Sequence, residues 1–212
     1  MAGTDAHIYE PSSGHGLHHD PLNSIVGPRP IGWISSVDLQ GRRNLAPYSF
    51  FNAFNYKPPI IGFATIGWKD TVANVQETGE FVWNLATEPL SRQMNVTSAA
   101  VARGQDEFEL AGLTPAPSRQ IKAPRVLESP VNFECRMTQI IQLTTIVGTT
   151  VETWLTLGEV VVVHIDRAFI QSGIYQAVAA QPVLRWGGRG DYVQIAPENV
   201  FELIRPALAR DL

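Results

Sequence analysis

The sequence predicts a mainly β protein, a barrel with a few helical additions, and three observations support this fold class. Segments of strand length with alternating or continuous apolar residues outnumber the helical segments. Strands and helices do not alternate regularly, as they would in a doubly wound parallel sheet. The 212 residues suit one large domain, and 44% hydrophobic with 17% charged residues is an ordinary globular composition.

The chain begins with a segment rich in glycine, serine, proline and histidine that shows little periodicity. We interpret residues 1–22 as a flexible N-terminal extension, followed by a single domain over residues 23–212. Three histidines in the extension, His15, His18 and His19, are a candidate metal group. No constellation of cysteine or carboxylate ligands at metal-site spacing joins them, so scattered histidines on a flexible arm are the favoured interpretation.

Four strand-like segments follow in the first half of the chain. Residues 31–38 (IGWISSVD) end in a polar turn and lead into residues 44–54 (NLAPYSFFNAF), which predicts a hairpin. The third and fourth strands are residues 59–66 and 80–86. Pro47 interrupts the aromatic-rich second strand, and because proline has no N–H for a ladder, it favours a sheet edge or a bulge.

Three helical segments lie among and after these strands, each with helix start or stop signals. They are residues 69–79, capped by Asp70 or Thr71 and stopped by Gly79; residues 89–97, with Thr87 as the cap; and residues 106–112. Two long strands, 131–143 and 153–166, follow. The tail from Val183 carries a glycine-rich turn, RWGGRGDY, and one more short strand.

Composition excludes several classes of function. The single cysteine, Cys135, permits no internal disulfide, and no apolar run approaches the roughly 18 residues of a membrane span. The first residues lack the basic start and apolar middle of a secretion signal. The net charge of −4, with no cluster of lysine and arginine, argues against a nucleic-acid partner. We therefore expect a soluble, cytoplasmic protein without membrane or nucleic-acid partners.

Familiar catalytic and nucleotide motifs are absent from the sequence. It has no G-x-G-x-x-G of a Rossmann site, and residues 62–71 (GFATIGWKDT) miss a phosphate loop because Trp68 stands where lysine is required. It also has no G-x-S-x-G elbow for acyl transfer. His164, at the end of a strand, is interpreted as a satisfied core or rim residue rather than a base.

The near miss still indicates an anion site. A strand ending at about Ile66, then Lys69, then a helix starting at Asp70 or Thr71 would bring backbone N–H groups, an ammonium and a hydroxyl to one spot. A helix N-terminus of this kind favours an anion, phosphate above all. Plain capping with a solvated Lys69 explains the same residues and stays open as an alternative.

The interrupted strand indicates a second contact surface. A break at Pro47 would leave backbone groups unpaired, and such groups are costly when buried. A flat ligand with donors and acceptors along its edge would satisfy them, with Ser49 and Asn52 adding polar contacts and Tyr48 or Phe50 an apolar wall. An edge strand exposed to water is the alternative.

Several segments in fixed order resemble the flavin reductase-like family, which binds FMN on a split β-barrel. They are PRPIGWISSVDLQGRRNLAPYSFFNAF, KPPIIGFATIGWKDTVANVQETGEFVWNLA, EFELAGLTPAPS, APRVLESPVNFEC and GEVVVVHID. The similarity covers about residues 19–192. It implies a mainly β (α+β) split barrel of Greek-key type with a few peripheral helices, and a homodimer with FMN at or near the interface. The loop RWGGRGDY departs from the family, whose members tend to have leucine in place of Trp186.

The resemblance also implies a set of cofactor contacts. Carried over by position, Trp33 and Ser35 would flank the flavin, with Phe50 as the apolar wall inferred above. The ring system and ribityl chain would be contacted by Asn44, Ala46, Pro47, Ser49 and Asn52, and the phosphate by Lys69, Asp70 and Thr71. The flavin supplies the redox chemistry, so no side chain is assigned a catalytic role.

The function that follows is an NAD(P)H-dependent flavin reductase. It would take hydride from NADH or NADPH onto FMN and pass electrons to a partner oxygenase or another acceptor. The alternative is a flavoredoxin-like FMN electron carrier that does not turn over with pyridine nucleotides. A module that stores or sequesters flavin is a third possibility.

Overall fold

The computed structural model describes residues 5–205, in which strands prevail. The strands are β1 Arg29–Pro30, β2 Gly32–Val37, β3 Arg43–Tyr48, β4 Phe51–Tyr56, β5 Pro59–Ile66, β6 Glu80–Asn84, β7 Pro115–Ala116, β8 Arg125–Val126, β9 Val131–Thr144, β10 Thr150–Ile165, β11 Ile170–Gln171, β12 Ile174–Tyr175, β13 Val183–Arg185 and β14 Tyr192–Gln194. The helices are α1 Leu22–Ile25, α2 Asp70–Thr78, α3 Ser91–Val96 and α4 Glu107–Ala111, with 3₁₀ turns at Pro11–Ser13, Glu88–Leu90, Arg167–Phe169 and Pro197–Asn199. In this part of the chain no helix has both the length and the apolar character needed to cross a bilayer. The outermost residues of the predicted extension (1–4) and domain (206–212) lie outside the described range.

Seven antiparallel strands form the main sheet, in the order β3-β2-β6-β9-β10-β5-β4. β3 and β4 follow each other in the chain with only Ser49 and Phe50 between them, yet they lie at opposite edges of the sheet. The sheet must therefore curl until its edges approach. The Ala64 N–H donates to the Phe50 carbonyl at 2.8 Å, and the Tyr48 and Phe63 rings stack with centroids 5.1 Å apart. The predicted barrel is confirmed.

β2 is buried on both faces, because its alternating side chains enter two different cores. Ile34 points into the barrel with Phe63, Phe81 and Val75 of α2. Trp33 points the other way, into a core shared with α3 and α4. Burying each large apolar side chain contributes roughly 1.5–3 kcal/mol, so the two cores fix α2 on one face of β2 and α3 with α4 on the other.

The strands and helices lie close to their predicted positions, but two details were wrong. Helix α2 ends at Gly79 as expected, with Gly79 at a φ of 72°, but neither Asp70 nor Thr71 caps it: Lys69 is the N-cap residue and makes no side-chain capping bond. Pro47 does not break the ladder. It pairs opposite Trp33 on edge strand β3, and the break falls at Ser49 and Phe50.

Candidate functional site

Two clefts flank the bend at Ser49 and Phe50, where the chain passes from β3 to β4. The β3–α2 cleft, of about 310 Å³, lies between β3, the start of α2 and residues 97–103. The β1–β4 cleft, of about 620 Å³, lies between residues 25–30 and residues 49–54. Nine of the eleven residues predicted to contact a cofactor line one of these clefts. Six line the first cleft and three line the second: Asn44, Ala46, Pro47, Lys69, Asp70 and Thr71, then Ser49, Phe50 and Asn52.

The other two predicted contacts, Trp33 and Ser35, line neither cleft. Both side chains are fully buried in the interior. The Trp33 indole N–H donates to Thr97 Oγ1 at 3.0 Å, and the Ser35 hydroxyl donates to the Pro124 carbonyl at 2.5 Å. In this structure, therefore, neither side chain offers any surface to a ligand.

The start of α2 provides free hydrogen-bond donors at the floor of the β3–α2 cleft. β5 ends at Ile66, and the first intrahelical bond runs from the Ala73 N–H to the Lys69 carbonyl at 3.0 Å. The N–H groups of Asp70, Thr71 and Val72 thus have no partner within the helix. They carry the positive end of the helix dipole, and the exposed Lys69 lies beside them. The predicted strand, lysine and helix start are brought together.

Thr71 lies deeper than the sequence suggested, at 1% exposure. Its hydroxyl accepts hydrogen bonds from Asn44 Nδ2 and from the Tyr48 hydroxyl, both at 2.7 Å. Burial, together with the nearby carboxylates, raises the pKa of Tyr48, so its phenol stays neutral and can donate. The hydroxyl of Thr71 therefore joins α2 to β3, and what it offers the cleft is its backbone N–H.

Acidic side chains also line the β3–α2 cleft and offset its positive groups. Asp70 lies in the first turn of α2, and Glu107 accepts the Leu45 N–H at 3.0 Å. Burial is the main reason why the pKa of Glu107 is raised, and the charges of Asp106 and Asp70 raise it further. An anion in this cleft must therefore be held close to the helix start, where the donors are concentrated.

The β1–β4 cleft contains an arginine that sequence reasoning missed. Arg29 is only 9% exposed; its Nη1 donates to the carbonyls of Asn23 and Val26 at 2.5 and 2.6 Å. Its guanidinium lies 5.9 Å from the centre of the Phe50 ring, and its buried Nε has no partner within the described residues. The only indication in the sequence was that Arg29 stands between two prolines, in the segment that begins PRPIGW. This cleft thus combines a fixed cation with an exposed aromatic face.

Comparison with known proteins identifies this arrangement. The family model for the flavin reductase like domain matches residues 27–181, which include all the strands that line both clefts. The chain belongs to the flavin reductase like family. Membership in this family supports a flavin-binding oxidoreductase with the split-barrel fold.

Several solved structures are similar along most of the chain. The nitrilotriacetate monooxygenase component B of Bacillus cereus is 33% identical, with a TM-score of 0.79 over 86% of this chain and 90% of that one. The 2-nitrobenzoate 2-nitroreductase NbaA of Pseudomonas fluorescens is 28% identical, with a TM-score of 0.75 over 88% and 89%. A Shewanella frigidimarina protein with a split barrel domain is 28% identical, with a TM-score of 0.74 over 89% and 90%.

The remaining predicted groups are placed as follows. His164 Nε2 lies 2.6 Å from Glu134 Oε1, so the histidine is satisfied at the barrel rim, as expected. Cys135 is buried in the barrel, and burial raises the pKa of its thiol, so it stays protonated. His15 lies in the exposed extension, where its carbonyl accepts a hydrogen bond from His7 at 2.7 Å.

Proposed function

We propose that this protein is an FMN-dependent reductase that takes hydride from NADH or NADPH and passes electrons to a partner oxygenase or another acceptor. The observation that carries the proposal is the group of free N–H donors at the start of α2, beside Lys69, at one end of a cleft that continues past β3. A phosphate-bearing flavin fits such a site. Family membership and the likeness to a protein described as a monooxygenase component support it.

The two clefts divide the work of binding. In the β3–α2 cleft, the N–H groups of Asp70 and Thr71, with Lys69, would hold the phosphate. The polar edge of the ring system would face the backbone of β3 near Pro47 and the hydroxyl of Ser49. β3 is an edge strand, so one row of its backbone groups is free of sheet partners.

The β1–β4 cleft would hold the apolar part of the ring. Phe50 would form a wall, and the fixed guanidinium of Arg29 would favour negative charge in its neighbourhood. When bound, FMN accepts hydride and gives up electrons by its own chemistry, and the protein binds and orients it. No side chain has to transfer a proton.

The test of the phosphate site compares FMN with riboflavin, which lacks the phosphate. Replacing Lys69 with alanine (Lys69→Ala) removes a charge-assisted contact and should weaken FMN binding by about 1.5–3 kcal/mol. Riboflavin affinity should stay the same. Fluorescence titration of both flavins measures the effect. Lys57→Ala is the matched control, because Lys57 lies at the exposed turn between β4 and β5.

If Lys69→Ala lowers the affinity for FMN and for riboflavin equally, the phosphate does not bind at the start of α2. Reductase activity is tested separately, by mixing the FMN-loaded protein with NADH and with NADPH. Bleaching of the flavin band that recurs in air supports the reductase. Absence of bleaching with both nucleotides would instead favour an electron carrier of the flavoredoxin type or a flavin-sequestering module.

A further inference from the structure

A third cleft, of about 540 Å³, lies between α3 and the β13–β14 hairpin, apart from the two clefts described above. We call it the arginine cleft, because Arg92, Arg185 and Arg189 line it. It includes the glycine-rich loop in which the sequence departs from the family pattern. None of its lining residues lines either cleft of the proposed flavin site.

The arginine cleft has an excess of positive charge in an acidic protein. Three guanidinium groups face one lining carboxylate, Glu88, whereas the whole chain has a net charge of −4. Within residues 5–205, neither Arg92 nor Arg189 takes part in a salt bridge. The carboxylate of Asp191 lies against Gly188 inside the loop and does not line the cleft. Such a concave cationic surface attracts anions.

One of the three arginines is held in place by the loop itself. Arg185 Nη1 donates to the Asp191 carbonyl at 2.7 Å, and its Nη2 donates to the Arg189 carbonyl at 2.9 Å. Its guanidinium lies 5.1 Å from the centre of the Tyr192 ring, which is 41% exposed. A half-exposed aromatic ring and a planar guanidinium provide flat surfaces on which a purine base can stack. Arg92 and Arg189 remain available for a phosphate.

The arginine cleft adjoins both clefts of the proposed flavin site. β13 pairs with β1, with Arg185 opposite Arg29, and β1 lines the β1–β4 cleft. Adjacent strands lie about 4.8 Å apart, so the strands that line these two clefts are direct neighbours. On the other side, α3 leads directly into Thr97, which lines the β3–α2 cleft. An extended dinucleotide anchored in the arginine cleft would therefore have a short path to the flavin.

From this charge, stacking surface and position, we propose that the arginine cleft binds the adenosine 2′-phosphate end of NADPH. The protein then prefers NADPH to NADH, because arginine is the residue that accommodates the extra phosphate in nucleotide sites. This inference rests on the proposed reductase function for its role in the reaction. The binding itself can be measured without any flavin.

The direct test is calorimetric titration with adenosine 2′,5′-bisphosphate and with adenosine 5′-monophosphate. The bisphosphate should bind the wild-type protein at least about tenfold more tightly, since it carries the phosphate that the arginines recognise. Arg92→Gln and Arg189→Gln should each reduce that preference, and the double variant should remove most of it. Arg167→Gln, an exposed arginine on a distant 3₁₀ turn, is the matched control and should change nothing.

The kinetic readout is the ratio of kcat/KM for NADPH to kcat/KM for NADH. The double variant should lower this ratio about tenfold while FMN affinity stays the same. Equal binding of the two adenosine phosphates by the wild-type protein, or a ratio unaffected by the double variant, would overturn the inference. If the bisphosphate binds through the arginines but neither nucleotide bleaches FMN, the cleft stands as a nucleotide site and the reductase function fails.

Discussion

At the scale of single residues, Thr71 shows how one buried hydroxyl joins two parts of the proposed site. The sequence placed this residue at the phosphate because it stands at the start of a helix. In the structure its hydroxyl is occupied by Asn44 and Tyr48 from β3. Only the three-dimensional pairing of β3 with α2 could reveal this, since nothing in the local sequence indicates which way the hydroxyl points.

The role of Thr71 predicts a loss of stability with little change in the chemistry of the phosphate site. Thr71→Val removes the acceptor of two buried donors and should lower the free energy of unfolding by about 1–3 kcal/mol. Tyr48→Phe removes one of these donors and should cost about 1 kcal/mol. The double variant should lose less free energy of unfolding than the two single variants together, because both partners of one hydrogen bond are then gone.

Urea denaturation of the flavin-free protein measures these energies. Tyr56→Phe is the matched control: its phenol is 84% exposed, and its removal should change stability by less than about 0.5 kcal/mol. Strict additivity of Thr71→Val and Tyr48→Phe would mean that the hydrogen bond between them contributes nothing.

Glu134 predicts how stability depends on pH. Its side chain is fully buried, and burial alone would raise its pKa. The N–H groups of Arg119 and Gln120, at 2.6 and 2.8 Å, and the side chain of His164 outweigh burial and lower the pKa of Glu134. A carboxyl with a lowered pKa stabilises the fold fully above its unfolded value of about 4.3 and loses that contribution as the pH falls through the folded value.

Glu134→Gln should therefore destabilise the fold strongly at neutral pH and less strongly in acid. The amide nitrogen would face an N–H donor, so the free energy of unfolding at pH 7 should fall by about 1–3 kcal/mol. The difference in free energy of unfolding between the variant and the wild-type protein should decrease as the pH falls below about 4. Denaturant titrations at a series of pH values test this, with the exposed Glu152→Gln as control. A gap that stays constant down to pH 3 would contradict the assignment.

At the scale of elements, strands and helix ends were predicted correctly where the local sequence determines the structure. The alternation of β2, the aromatic content of β3 and β4 and the glycine that ends α2 are all local signals. Pro47 correctly indicated an edge strand, but the break expected at Pro47 falls at Ser49 and Phe50 instead. The sequence pattern does not reveal that the strands on either side of this break, β3 and β4, lie at opposite edges of one curled sheet.

The packing of β10 against β6 gives a prediction at the same scale. Gly158 lies at a register shift in β10, where a Cβ atom would overlap the ring of Phe81. Gly158→Ala should therefore lower the free energy of unfolding by about 1–3 kcal/mol through overpacking. Phe81→Leu should reduce the penalty of the alanine, because a smaller side chain leaves room for it. If the penalty measured by denaturation is the same in both backgrounds, Phe81 is not its cause.

At the scale of the whole molecule, the split barrel and most of the candidate site could be predicted, because nine contacts fall within residues 44–71. Trp33 and Ser35 lie apart from both clefts because β2 is buried on both faces, which a carry-over by position does not show. Arg29 was missed, and the contacts of residues 185–192 were left open, for a different reason. Phe50 beside Arg29, and β13 beside β1, are brought together only by the folding of distant segments.

The homodimer that the family resemblance implies requires a surface where two copies of the chain meet. At the turn between β9 and β10, Ile146 is fully exposed and Val147 is 80% exposed, and exposed side chains of Ile141 and Leu143 precede them on β9. Turns normally carry polar residues, so an apolar tip of this kind indicates a surface that another chain covers. We therefore expect the hairpin tip to contribute to the dimer interface.

Sedimentation at micromolar concentration should show a dimer for the wild-type protein. Replacing Ile146 and Val147 with lysine should shift the equilibrium toward monomer, because two charges would be buried without partners at the interface. The circular dichroism spectrum should stay the same, since neither side chain packs in the core. If the cofactor binds near the interface, FMN affinity should decrease as the dimer dissociates. Ile8→Lys, in the exposed extension, is the matched control and should leave the dimer intact. A wild-type monomer, or a dimer unaffected by the double substitution, would exclude the hairpin tip as the contact, because an interface containing these side chains cannot tolerate both lysines.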